Sequence, residues 1–100
     1  MKKTLTLDEG IDINELEKRF LLKDSYANLI VFMVQNNMTE LPQFEEYNRA
    51  LKDNILLSQE AQKEFQKVIK REFLKENQHL TNWNLTFGNR KLIINYIEED

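Results

Sequence analysis

Apolar positions alternate with polar ones at the start of the chain, recur every three or four residues through its middle, and alternate again near its end. These are the periods of strands and helices, so the pattern predicts an α+β fold. Thr4 to Leu7 puts Leu5 and Leu7 on one side of a short strand, and Gly10 then breaks the chain. Asp12 is placed as an N-cap with Glu15 three residues on, as in a capping box, and Ile11 and Leu16 are placed as a hydrophobic staple. A helix is therefore expected to start near Ile13. Its core stripe reads Ile13, Leu16, Phe20, Ala27, Val31 and Val34. Lys23 falls on that stripe, and Asp24 and Ser25 follow it as possible caps, so the segment divides into two helices if a joint forms near Lys23. Leu29 to Val34 is apolar all round, which suits an enclosed helix or a buried strand; the period continuing from Leu16 favours helix.

Asn36 and Asn37 end that element, and Pro42 suits the first turn of the next helix, which carries Phe44, Tyr47 and Leu51 as far as Asp53. Without a break after Asp53, Ser58 and Gln62 would both face the core, so the pattern predicts a fresh helix capped by Ser58 and running to Asn77. Phe65, Ile69 and Phe73 form its apolar stripe, with Val68 beside them. From Thr81 the alternation returns. Trp83, Leu85 and Phe87 lead into Gly88 and Asn89, and Leu92, Ile94 and Tyr96 lead out, which is a β-hairpin. A two-residue loop pairs Leu85 with Leu92; a four-residue loop pairs Phe87 with Leu92; both keep these six residues on one face. The expected architecture is three or four helices packed on a C-terminal hairpin, which can take Thr4–Leu7 as a third antiparallel strand. No repeat or linker divides residues 1–100, so a single small domain is expected.

Composition adds limits. At 41% hydrophobic with six Phe, three Tyr and one Trp, the chain has material for a packed core. The net charge of -3 does not favour nucleic acid or an anionic membrane as a default partner. The absence of cysteine removes disulfide, thiol and thiolate-metal chemistry and fits a reducing cytoplasm. The opening lysines are followed by Asp8 and Glu9 before any long apolar run, which is unlike a signal peptide, and no apolar run is long enough for a bilayer. Abundant Lys, Asn, Ile, Glu and Phe resembles the output of AT-rich bacterial or phage genomes.

Chemical equipment is sparse. The one histidine, His79, forms Glu-x-x-His with Glu76, a di-metal helix spacing, yet Asp24 is the only acid between Lys18 and Glu40 to complete such a site. Gly10 and Gly88 cannot make a phosphate loop, and Glu45/Glu46 and Glu98/Glu99 point apart on regular elements. No catalytic residue, metal, cofactor or small-molecule substrate is expected. Lys63, Lys67, Lys70, Arg71 and Lys75 gather on one side of the helix expected over 58–77, a face able to track phosphates; Glu60 and Glu64 share its arc and can pair with them. Trp83, Phe87 and Tyr96 fit a core face, but Ile93 and Ile97 occupy the opposite, otherwise solvent-facing side of the last strand. Phe32 and Met33, in the all-apolar run, mark a second patch. The sequence therefore points to a non-enzymatic protein-interaction module, such as an adaptor, inhibitor or accessory subunit, that binds a protein partner or itself through Trp83, Phe87, Ile93, Tyr96 and Ile97. The alternative is a nucleic-acid-associated protein using the basic face.

Overall fold

The computed structural model describes residues 1–100 and contains two helices and a three-stranded antiparallel sheet. Strand β1 is Lys2–Thr6, helix α1 Asn14–Gln35, helix α2 Pro42–Phe73, strand β2 Gln78–Thr86 and strand β3 Lys91–Glu98. Contacts gather into two units. One combines Met1–Ile13 with Glu64–Asp100, and the other is Asn14–Lys63.

The helical unit has fewer elements than the pattern implied. Helix α1 starts one residue after Ile13 and runs through Lys23 without a joint. Lys23 is half-buried, and its ammonium lies 5.2 Å from the centre of the Phe20 ring, so the charge leaves the stripe along its own aliphatic stem. Glu15 accepts a hydrogen bond from Arg19 Nε at 2.7 Å, one turn on. The 29–34 run is helical, as its period indicated. The helix stops in a left-handed cap: Asn37 has φ 55, Met38 N–H donates to Met33 O at 2.8 Å, and Asn37 N–H donates to Val34 O at 3.3 Å. That pair of bonds is a Schellman motif, with asparagine in the place glycine usually takes.

The break expected between Asp53 and Ser58 is absent, and α2 is one helix. Its polar residues are satisfied locally. Asn54 donates from Nδ2 to Ala50 O at 2.8 Å, and the buried Ser58 hydroxyl, 2% exposed, accepts from Gln62 Nε2 at 3.3 Å. Hydrogen-bonded to each other, Ser58 and Gln62 tolerate the inward stripe that each alone would disrupt. Tyr26 of α1 and Tyr47 of α2 pack with ring centres 6.5 Å apart.

In the other unit the sheet order is β1-β3-β2, so the last strand is central. The early strand joins the sheet, over Lys2–Thr6 and not Thr4–Leu7, with Leu5 opposite Leu92. In the hairpin Leu85 faces Leu92 and Trp83 faces Ile94, the register of the shorter turn, yet the connection is Phe87–Arg90 and ends with Arg90 at φ 56. Strand β2 starts at Gln78, earlier than Thr81, because a bulge between Leu80 and Asn82 shifts the pairing. The extra residue returns Gln78 and Leu80 to the face of Trp83 and Leu85. Helix α2 correspondingly ends at Phe73 and not Asn77. Phe65 and Ile69 from its last turns are buried, and Phe65 meets Trp83 with ring centres 5.1 Å apart.

Two side chains lock this unit. Gln78 accepts at Oε1 from Lys3 Nζ at 3.1 Å and from Lys75 N–H at 3.0 Å, and donates from Nε2 to Glu98 Oε1 at 3.0 Å. Arg90 donates to the carbonyls of Leu7 at 3.2 Å, Asp8 at 2.7 Å and Ile11, while Leu7 N–H donates to Arg90 O at 2.8 Å. No buried side-chain nitrogen or oxygen lacks a partner.

Candidate interaction surfaces

The sheet divides the expected contact residues between its two faces. Tyr96 shares the inner face with Leu92 and Ile94 and is 9% exposed. Trp83 is half-buried on that face against Phe65. Phe87, at the first position of the turn, is also half-buried. Tyr96 therefore belongs to the core of its unit, while Trp83 and Phe87 are partly covered at its margin. Ile93 and Ile97 point the other way. Their neighbours across the strands are polar: Thr4 and Asn84 beside Ile93, and His79 beside Ile97. Ile97 is 58% exposed and Ile93 half-buried, so an aliphatic strip runs along the central strand of an otherwise polar face.

The second expected patch also separates. Phe32 is 53% exposed, whereas Met33 is 2% exposed. A one-residue step on a helix turns the side chain by about 100°, and here that step crosses from outside to core. Leu16 and Met33 are the buried residues of α1, with Tyr26 and Ile30 half-buried beside them, so the stripe read from the sequence is rotated: Phe20, Val31 and Val34 face outward with Leu21 and Phe32. A run that is apolar all round carries no phase, which is why the sequence pattern placed it wrongly. The signal that locates the outer face is polar. Glu17, Asp24, Asn28 and Gln35 recur at helical spacing with Leu21 and Val31 among them. Leu41 and Leu56 are further exposed apolar side chains that the pattern did not single out.

The basic residues are exposed, but they do not share one helix. Lys63, Lys67, Lys70 and Arg71 are on α2, and Lys75 lies beyond its end at Phe73. Lys67 pairs with Glu64 at 3.1 Å and Arg71 with Glu72 at 3.0 Å, both with well-exposed side chains. Lys70, Arg71 and Lys75 line an open cleft of about 630 Å³ with Gln78 and His79. His79 stands on β2, with Nε2 3.3 Å from a carboxylate oxygen of Glu99, so the Glu-x-x-His spacing spans a turn and a strand and does not put both groups on one helix face. No group of three His, Asp or Glu side chains is arranged to hold a metal ion. No helix is long and apolar enough to cross a membrane. No protein-family model, curated protein or solved structure matches the chain.

Proposed function

We propose that the chain is a non-enzymatic protein-interaction module that binds a protein partner through the outer face of its sheet. The observation that carries this reading is the aliphatic strip of Ile93 and Ile97 on the central strand. A solvent-facing side is normally polar, and the threonines and asparagines around these isoleucines follow that rule. An apolar strip rimmed by polar residues is the usual form of a contact surface. In this reading Trp83 and Tyr96 line the opposite side of the sheet from the strip, Phe87 lies in the turn, and the contact is carried by Ile93 and Ile97.

Ile93→Lys and Ile97→Lys test this. Both variants are expected to keep parental helicity by circular dichroism and to lose the proteins that the tagged parent retains from its native host. If the parent retains nothing, or the variants retain the same protein, the sheet is not the binding face.

A second reading, association with nucleic acid, is favoured by the cleft that brings Lys70, Arg71 and Lys75 together. Here binding to duplex or single-stranded DNA would weaken steeply with salt and fall in Lys70→Glu and Lys75→Glu variants. The module reading predicts no retention on DNA at physiological salt.

A further inference from the structure

The outward face of α1 repeats at alternating four- and three-residue steps through Glu17, Leu21, Asp24, Asn28, Val31 and Gln35. That is the spacing of a coiled-coil seam, here with Leu21 and Val31 as its apolar members, and it lies across the helix from the side that carries Met33 with the half-buried Tyr26 and Ile30. The order of polar and apolar positions along the seam is the same from either end when centred on the level of Tyr26. Glu17 mirrors Gln35, Leu21 mirrors Val31, and Asp24 mirrors Asn28.

We propose that two copies of this chain pair through α1, antiparallel, about a twofold axis at that level. An isologous interface requires a surface complementary to itself, and this one is. Antiparallel pairing sets Leu21 against Val31 of the second copy. It also sets each acid against a carboxamide, Asp24 against Asn28 and Glu17 against Gln35, where an amide N–H can donate to the carboxylate. Parallel pairing would set Asp24 against Asp24 and Glu17 against Glu17, which is repulsive.

The flanks agree with the same register. On one side Phe20 and Val34, both exposed, come to neighbouring levels. On the other, Lys18, Leu21, Leu22 and Ser25 line a shallow cleft of about 390 Å³. The twofold brings Phe32 of the second copy, a protruding aromatic side chain, to the level of that cleft. Knob and hole lie on the same flank at mirrored positions. The proposal is independent of the sheet reading and uses no residue of β3.

Sedimentation equilibrium of the full chain tests it. The parent is expected to weigh twice 12.1 kDa. Leu21→Glu and Val31→Glu replace exposed side chains and should keep the fold by circular dichroism while weakening the dimer by at least about tenfold, since each brings a carboxylate into the seam. Asn28→Lys distinguishes orientations: it meets Asp24 in the antiparallel pair and should keep the dimer or tighten it, whereas in a parallel pair it meets itself. Ile97→Lys should leave the mass unchanged even if partner binding is lost. A parent that stays monomeric up to about 0.5 mM overturns the proposal. So does a dimer that survives both glutamate variants, or one that Asn28→Lys dissociates.

Discussion

Arg90→Ala is expected to be among the most destabilising single substitutions in this protein, lowering the unfolding free energy by about 2–4 kcal/mol. The guanidinium gathers three carbonyls from the segment between β1 and α1, those of Leu7, Asp8 and Ile11, and ties them to the end of the hairpin turn. A planar fork with several donors can reach three acceptors at once; a lysine ammonium on a flexible stem cannot hold the same set. Alanine removes these donors and keeps a residue with a Cβ at φ 56. Arg90→Gly removes the same donors but relieves the left-handed backbone, so it should be less damaging than alanine by about 1 kcal/mol. Urea unfolding of the parent and the two variants gives both numbers. Equal stability of parent and Arg90→Ala would show that the three carbonyls are as well satisfied by water.

Gln78→Leu is expected to cost about 1–3 kcal/mol, because it removes three part-buried hydrogen bonds while keeping a side chain of almost the same size. Gln78 closes the end of α2, where Lys3 also donates to Phe73 O at 2.9 Å, and it links that end to Glu98 on β3. The amide works because one end accepts from Lys3 and Lys75 and the other donates to Glu98. Gln78→Glu keeps the accepting end but sets a carboxylate against Glu98. Adding Glu98→Gln exchanges the roles and should recover most of the loss. A double-mutant cycle measured by thermal or urea unfolding isolates this coupling. Additive losses in the cycle would mean that the 3.0 Å contact between Gln78 and Glu98 contributes nothing to stability.

Elements with a strong local period were legible in the sequence. The alternation of Trp83, Leu85 and Phe87 with Leu92, Ile94 and Tyr96 gave the hairpin and its inner face, since an even offset keeps every side chain on the same side. Asp12 and Ile13 located the start of α1 to within a residue, and Asn37 explains its end. Where the structure departs from the sequence pattern, the deciding interaction is between side chains or in the phase of an unpatterned run. Ser58 and Gln62 counted as two polar intrusions, but one hydrogen bond between them removes both. The period of Leu29 to Val34 marks a helix without orienting it, so the pattern groups Met33 with Phe32 although one is buried and the other exposed. The bulge near Thr81 hid the first turns of β2, because a strict period of two fails where one residue is inserted. For the proposed contact surface, Ile93 and Ile97 are visible in the sequence as apolar residues on the otherwise polar side of a strand. On the outer face of α1 the pattern marks Phe32, whereas it places Phe20, Val31 and Val34 in the core and does not single out Leu21.

The bulge in β2 also bears on how the protein behaves at high concentration. Strand β2 borders the sheet on one side, and a straight border strand offers unpaired amides and carbonyls to any extended chain that arrives. Here the row is interrupted: Thr81 turns its hydroxyl to Asn95 O at 3.0 Å, and the residues before and after it are out of step by one. An incoming strand can match three residues or five, but not all nine. Irregular spacing at the rim thus discourages fibre-like stacking.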